Sequence, residues 1–391
     1  MTLRKIVFAV GLLMMSSSAA LCQQTGTAVG RTPGSAARTG ITVTRVIPKA
    51  TCETPGSAGT GEAGSLPEML FGRSWDNLVC VRHIDGKTEQ LRRDAPDGVA
   101  SADGSATAYW DATKHELHVF LTANGADALV ESLPGANLRE LAWSGTGHTL
   151  AYFPTSAKPA GIRLFDLDSG KRNFFAGSFI GLVASPEAEH VFAVDGDGVE
   201  SFSVADGKRE SVAKVKYIAS GQYSREARYL GMLGNASIAE QTAPPVAVQA
   251  TAEEDDGPDC TGGSFALIVQ DTKTKQLVDV PLPKGFDTVL DFAFSPDEKT
   301  LAVTFGVVGC DYPGERARVF LVALPGMKLT PISPEDRLSV KPVWTPDGKT
   351  IVYSDYTGSD SPLFAFELAT RRVSRLTNPG QFGPDTWLAW R

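Results

Sequence analysis

The sequence predicts an all-β fold, a β-propeller of seven four-stranded blades in which N-terminal and C-terminal strands share one blade. Three observations support this prediction. A motif with an aromatic residue, a hydroxyl residue and a polar turn recurs along the chain, a second hairpin accompanies each copy, and the last residues repeat part of the motif. A repeat of about 40 residues with four short strands is typical of propellers.

The motif is clearest in the segments that begin at Leu141, Phe292 and Pro342. In each, an aromatic residue precedes Ser or Thr, polar turn residues follow, and an apolar residue stands six positions after the hydroxyl residue. Two strands joined by a tight turn produce this pattern, because Pro, Asp and Gly favour the bend. We call the hydroxyl residues the anchors; they are Ser101, Ser144, Ser185, Ser224, Ser295 and Thr345.

The two ends of the chain complete the predicted ring. A second hairpin at 78–87 lies upstream of the first anchor and has no motif before it. The C-terminal residues 388–390 repeat Leu-Ala-Trp of 141–143, so they would form the inner strand of a blade whose outer strands come from 67–92. This closure leaves no open sheet edge. Six and eight blades are the alternatives, because the copies at Ser185 and Ser224 are weak.

Two segments precede the propeller, which we place at 66–391. Residues 1–22 have the basic start, short apolar middle and small-residue end of a signal peptide, so we expect a periplasmic or secreted protein. Lipidation at Cys22 is the less favoured alternative, since Leu21 precedes it. Residues 23–65 are rich in Gly, Ser and Thr and predict a flexible leader. Within it, Ile41–Ile47 alternates like a strand that could dock on the folded body.

Charge and hydropathy limit the partners. Lys plus Arg number 37 and Asp plus Glu number 45, which gives a net charge of −8. Nucleic acid binding requires a basic surface, so nucleic acid is not expected as the partner. No stretch of the mature chain is long and apolar enough to predict a transmembrane segment.

Two long insertions, at about 234–263 and 306–317, connect the second and third strands of neighbouring predicted blades. They should therefore emerge side by side on one face of the propeller. This arrangement favours a disulfide between Cys260 and Cys310, which leaves Cys52 and Cys80 to pin the leader to the closing blade. Four unpaired thiols are the alternative.

The insertions carry a cluster of acidic residues and one tyrosine. A solvated loop is the simpler interpretation, and a docking element for a basic partner or a cation is the alternative. The candidate partner-face residues are Glu253, Glu254, Asp255, Asp256, Asp259, Asp311 and Tyr312.

The best copies of the motif resemble the propeller repeats of the TolB family. Phe294-Ser-Pro-Asp297 and Trp344-Thr-Pro-Asp347 carry the resemblance, which is clear over 287–377 and diffuse over 101–288. WD-type repeats of bacterial envelope proteins are similar. The resemblance implies binding of an envelope protein without catalysis. This chain departs from the family in its Gly-rich leader, where TolB has an α/β domain, and in its seven predicted blades, where TolB has six.

No catalytic residue, metal ligand or cofactor is predicted. Gly-x-Ser-x-Gly does not occur, and His115 and His118 lie three apart on a strand, so they should face opposite sides. An enzyme of the hydrolase, lyase or lactonase type would use the central channel, where the inner strands offer Glu140, Asp291 and Lys341.

The third functional hypothesis is a propeller that binds a glycan or another small ligand. Exposed aromatic side chains such as Trp75, Trp110 and Tyr356 would contact the ligand, although ordinary packing explains these residues equally well. A non-catalytic protein-binding scaffold in the cell envelope is the favoured interpretation of the three.

Overall fold

The computed structural model describes residues 43–46, 69–73, 78–82, 88–92, 98–101, 104–144, 148–184, 189–235, 264–307, 316–356, 362–376 and 388–390. They belong to one unit, Arg38–Arg391. The regular structure in these ranges is all β, without a helix.

The first strands along the chain are β1 (Val43–Val46), β2 (Met69–Arg73), β3 (Leu78–Arg82), β4 (Thr88–Arg92), β5 (Val99–Ala100), β6 (Ala106–Asp111), β7 (Glu116–Leu121), β8 (Ala126–Ser132), β9 (Asn137–Ser144), β10 (Thr149–Thr155), β11 (Gly161–Asp166), β12 (Arg172–Ala176), β13 (Gly181–Ala184), β14 (His190–Val194), β15 (Val199–Ser203) and β16 (Arg209–Ala213). The remaining strands are β17 (Ile218–Tyr223), β18 (Tyr229–Gly234), β19 (Ala266–Asp271), β20 (Leu277–Asp279), β21 (Thr288–Phe294), β22 (Thr300–Val307), β23 (Arg316–Ala323), β24 (Leu329–Pro331), β25 (Leu338–Trp344), β26 (Thr350–Tyr356), β27 (Leu363–Glu367), β28 (Val373–Arg375) and β29 (Leu388–Trp390).

Successive strands pair antiparallel in groups of four, which are β5–β8, β9–β12, β13–β16, β17–β20, β21–β24 and β25–β28. The first strands of neighbouring groups approach one another, and β13 pairs in parallel with β17 where Val183 meets Gly221. The fold is therefore the predicted all-β propeller, with β5, β9, β13, β17, β21 and β25 as inner strands. The number of blades that close the ring stays a prediction.

The ends of the chain pair as the sequence predicts. Strand β29 joins β2, with Leu388 opposite Phe71 and Trp390 opposite Met69, and the sheet continues through β3 and β4. The leader contributes β1, which adds to the outer edge of β8, with Val46 opposite Ala126. The backbone of the segment that alternates like a strand, Ile41–Ile47, thus contacts the folded body through β1.

Apolar side chains fill the spaces between successive blades. One cluster joins Leu117 of blade β5–β8 to Leu150 of blade β9–β12. Another joins Val319 of blade β21–β24 to Tyr353 of blade β25–β28. Where the structure describes the side chains, packing between blades in this way buries both faces of a blade, which explains the long apolar runs in the middle strands.

The described anchors form hydrogen bonds within the turn that joins the first and second strands of their blades. The hydroxyl oxygen accepts the backbone N–H five residues on, at 2.9–3.0 Å, in the pairs Ser101–Ala106, Ser224–Tyr229, Ser295–Thr300 and Thr345–Thr350. The hydroxyls of Ser295 and Thr345 also donate to the turn aspartates Asp297 and Asp347 at 2.7 Å. Ser144 differs, because its hydroxyl donates to the Thr149 carbonyl at 3.3 Å. Ser185 lies outside the described residues.

Candidate functional site

The predicted partner face lies mostly outside the described residues. This applies to Cys52, Cys260, Cys310, Glu253, Glu254, Asp255, Asp256, Asp259, Asp311 and Tyr312. Of Cys80 the structure describes the backbone, which lies in β3 opposite Phe71. Both disulfide pairings and the docking role of the acidic residues stay predictions.

The ends of both long insertions are described. Gly234 at the end of β18 pairs with Ala266 at the start of β19, and Val307 at the end of β22 pairs with Arg316 at the start of β23. Each insertion therefore leaves and re-enters at one point, between the second and third strands of its blade. The two blades follow one another in the chain.

Tyr217 lies beside the base of the first insertion. It is 65% exposed, the most exposed large hydrophobic residue of the described part. Its carbonyl accepts the N–H of Asn235 at 3.0 Å, immediately after β18. Its φ of 61° is in the left-handed region, which non-glycine residues enter rarely. The backbone thus holds an aromatic side chain outward at the point where the insertion begins.

The inner strands share an equivalent position, which lies four residues before the anchor of each strand. A β-bulge accompanies this position in four of them, since the pairing register shifts next to it in β9, β17, β21 and β25. Such bulges redirect side chains and are common beside functional sites. The described members of this set, which we call the channel ring, are Glu140, Gly181, Ser220, Asp291 and Lys341.

Glu140 reaches from its own inner strand to the next one. Its Oε2 accepts the N–H of Leu182 at 2.6 Å. Gly181 makes room for the carboxylate, because a Cβ there would lie 2.8 Å from Oε2 and 2.6 Å from the Ala219 carbonyl oxygen. Burial raises the pKa of Glu140 to about 7, against the opposing effects of the Leu182 N–H and the Arg139 charge. Its half-exposed side chain can therefore exchange a proton with solvent near neutral pH.

Asp291 and Lys341 occupy the same position in neighbouring inner strands. Burial raises the pKa of Asp291 to about 6, while the Lys341 charge and the N–H of Phe292, 2.8 Å away, lower it. The cross-strand neighbour of Asp291 is Thr304, a fully buried residue whose Oγ1 has no hydrogen-bond partner in the described structure. The Asp291 carboxylate and the Lys341 ammonium group therefore interact within this part of the ring, beside a buried hydroxyl that has no partner among the described residues.

The two histidines of the 115–118 segment have different neighbours. The Nδ1 of His115 lies 2.6 Å from the Ala136 carbonyl, whereas His118 stacks on Tyr109 and its Nε2 lies 3.1 Å from Glu116. Burial lowers the pKa of His118, but the carboxylates of Asp127 and Glu116 outweigh this effect and raise it. No group of three or more metal-binding side chains occurs in the described part of the chain.

The aromatic residues proposed for ligand binding are placed differently from the expectation. Trp110 is 9% exposed, because its strand β6 is buried on both faces, so its proposed exposure is wrong. Tyr356 is half-buried, and Trp75 lies outside the described residues.

The sequence analysis missed two exposed aromatic residues, Tyr217 and Phe174, of which Phe174 is 40% exposed. The adjacent pair Phe174 and Phe175 is the signal for it, because neighbouring residues of a strand point to opposite faces.

No helix that could span a membrane is found among the described residues. No protein-family model and no curated protein matches the sequence.

Several solved structures are similar to this chain. TolB from Acinetobacter baumannii is 14% identical, covers 82% of this chain and 81% of its own, and has a TM-score of 0.47. An oligogalacturonate lyase from Vibrio parahaemolyticus is 14% identical, with coverages of 72% and 74% and a TM-score of 0.48. A dihydro-heme d1 dehydrogenase is 14% identical, with coverages of 85% and 78% and a TM-score of 0.49.

Proposed function

We propose that this chain is an exported, non-catalytic propeller that binds a protein of the cell envelope through the face with the two long insertions. The observation that carries the proposal is Tyr217, a residue that is 65% exposed beside the base of the first insertion. Tyrosine is enriched at the centres of protein interfaces, because it offers a large contact area with few rotatable bonds.

The chemistry of the partner follows from the charge of the same region. The first insertion contains Glu253, Glu254, Asp255, Asp256 and Asp259 within seven residues, and the whole chain has a net charge of −8. A basic segment of the partner would be attracted to such a surface and would bind faster at low ionic strength. A Cys260–Cys310 disulfide would order both insertions in advance and reduce the entropy lost on binding.

The experiment places a photo-crosslinking amino acid at position 217 of the full chain in living cells. A matched variant carries it at Lys273, an exposed residue in the turn between the third and fourth strands of the same group, at the opposite end of the strands. We expect a protein adduct of defined mass at position 217 and none at 273.

Two further variants sharpen the result. Deletion of 236–262 should abolish the adduct, and so should replacement of the five acidic residues by Asn or Gln, because the insertion supplies the charge. Equal adducts at 217 and 273, or an adduct that survives the deletion, would remove the support for this face.

Export is tested separately from binding. The mass of the protein recovered from the periplasm or the medium should correspond to a chain that begins at Gln23. A chain that retains residues 1–22 in the cytoplasm contradicts the envelope location.

A ligand-binding or catalytic channel is the second candidate function. The observation that favours it is the pair of carboxylates in the channel ring, since the pKa values of Glu140 and Asp291 are raised to about 7 and about 6. Carboxylates with pKa values shifted by burial are candidates for functional sites. Chemical shift changes at residues of the ring, in a screen of sugars and amino acids, would support this candidate.

A further inference from the structure

Strand β12 is a sheet edge in the described structure. It pairs with β11 on one side, and its group runs in the order β12-β11-β10-β9. The Asp166 N–H donates to the Lys171 carbonyl, so these two residues form a hydrogen-bonded pair of the β11–β12 ladder. The register of the other pairs then follows from this one. Because bonded and non-bonded pairs alternate, the N–H and C=O groups of Arg172, Phe174 and Ala176 point away from β11. A row of outward backbone groups is a template for another strand.

A cavity of about 510 Å³ lies along this edge. One wall is β12 itself, with the consecutive residues 173–176, and the opposite wall is the turn 204–207 of the next blade. The Asn173 side-chain amide donates to the Val204 carbonyl at 2.9 Å and joins the two walls. An extended chain beside β12 in this cavity would therefore contact both the strand and the turn.

Apolar surface flanks the edge on both sides. Toward the next blade, Phe175 stacks on Phe202 with ring centroids 5.2 Å apart, and both line the cavity. On the other face of β12, the Phe174 ring is 40% exposed. Alternate side chains of an added strand would therefore enter the cavity or pack against Phe174 as cross-strand neighbours.

The charge beside the cavity is negative. Arg209 is already paired with Glu200 at 2.7 Å and with Asp195 at 2.6 Å, so one carboxylate charge is left over. Hydrogen bonds from Ser203 and from the Lys208 N–H lower the pKa of Asp206, which is ionised at neutral pH. The charge of Lys208 also acts on Asp206, but the Nζ of Lys208 is bound to Glu210 at 2.6 Å, and no salt bridge to Asp206 occurs among the described residues. A basic side chain of a chain bound in the cavity would pair with the Asp206 carboxylate.

From these four observations we propose that the edge of β12 and the adjoining cavity bind an extended peptide by β-strand addition. The peptide carries apolar side chains at alternate positions and a basic residue that pairs with Asp206. Backbone hydrogen bonds to Arg172, Phe174 and Ala176 supply affinity, and the cavity selects the side chains. This surface is separate from the Tyr217 face, so its test is independent of the proposed function.

The probe is a fluorescent, capped peptide of sequence Thr-Val-Thr-Val-Thr-Lys-Thr, which places both valines and the lysine on one face. Its binding to the full mature chain is measured by anisotropy. Amide hydrogen exchange then locates it, with protection expected at Arg172, Phe174 and Ala176. A peptide with Glu in place of Lys, and one with N-methylated valines and threonines, are the matched ligands. Both should bind about tenfold more weakly or not at all.

Three variants of the protein separate backbone from side-chain contributions. Ala176→Pro removes one outward N–H from an edge strand, a position that tolerates proline. Phe174→Ala removes the exposed ring. Each should weaken binding about fivefold to tenfold. Val373→Ala is the control, because Val373 is an exposed apolar residue of another outer strand, and it should bind the probe like the unmodified chain.

Four results would overturn the proposal. The first is no binding of the probe at millimolar concentration. The second is protection of Arg209–Ala213 in β16 in place of β12, which would assign the probe to another sheet edge. The third is a dimer of this chain, seen by sedimentation and lost in Phe174→Ala, without peptide binding. The fourth is equal binding of the probe by the unmodified chain and by Ala176→Pro, which would exclude strand addition as the binding mode.

Discussion

The indole Nε1 of Trp143 donates to the backbone carbonyl of Val99 at 2.8 Å, and this bond joins the inner strands of two successive blades. Trp344 makes the equivalent bond to Ala293 at 3.1 Å. In both cases the tryptophan precedes its own anchor by one residue, and the carbonyl precedes the anchor of the preceding blade by two. The motif therefore fixes the turn within one blade and also the contact with the blade before it.

Replacing Trp143 with Phe should destabilise the propeller. The change leaves the Val99 carbonyl without its donor and removes buried ring atoms, which together cost about 1–3 kcal/mol. Calorimetry should show a lower Tm than for the unmodified chain. Trp110→Phe is the matched control, since it removes the same atoms from a buried indole that makes no hydrogen bond in the described structure. Equal losses in both variants would show that the bond to Val99 contributes nothing.

Removing an anchor hydroxyl should lower the stability of the propeller, because the hydrogen bonds that this hydroxyl makes are lost. Thr345→Val keeps the shape of the side chain but removes the acceptor for the Thr350 N–H and the donor to Asp347. We expect a loss of about 1–3 kcal/mol in the free energy of unfolding, measured in urea. Thr345→Ser should keep most of the stability, because Ser295 makes the same two bonds. A Val variant as stable as the Ser variant contradicts this role.

Local features of this fold could be predicted from the sequence, and features between blades could not. Ser295 and Thr300 are five residues apart, so the turn they stabilise leaves a short-range pattern. Trp143 and Val99 are separated by 44 positions, and only the folded ring brings them together. The exposure expected for Trp110 was wrong for the same reason, because a strand buried on both faces lacks the alternation that marks an exposed side.

The channel ring could be predicted only in part. Glu140, Asp291 and Lys341 follow from counting back from the anchors, because the inner strands are recognisable. The bulges beside them leave no residue pattern, and neither does the contact of Glu140 with the next strand. Gly181 could not be interpreted, since its small size matters only beside the Glu140 carboxylate.

The stability of the propeller should depend on pH through Glu140. The ordinary pKa of a glutamate is 4.5, and in the folded chain that of Glu140 is about 7. The folded state therefore binds more protons between these values. The contribution of the protonated group is present below pH 4.5 and is lost as the pH rises through 7. Glu140→Gln should reduce the fall in Tm between pH 5 and pH 8.

The control for this experiment is Glu335→Gln, which changes an exposed carboxylate. It should leave the pH dependence of the Tm unchanged, because an exposed carboxylate couples weakly to folding. If Glu140→Gln and the unmodified chain lose stability in parallel between pH 5 and pH 8, Glu140 does not titrate in this window.

Gly181→Ala should disturb the same contact from the other side. The new Cβ would lie 2.6 Å from the Ala219 carbonyl oxygen, which belongs to the backbone and cannot move aside easily, and 2.8 Å from Oε2 of Glu140. Overpacking of this kind costs about 1–3 kcal/mol, and the displaced carboxylate loses its bond to the Leu182 N–H. Gly196→Ala is the control, since nothing lies within 4 Å of its Cβ position. We expect its Tm to match that of the unmodified chain, whereas Gly181→Ala should lower the Tm and expose the Leu182 amide to hydrogen exchange. A protected Leu182 amide in the Gly181→Ala chain would mean that Glu140 keeps its hydrogen bond to this amide. The close fit between Gly181 and the Glu140 carboxylate would then have no energetic role.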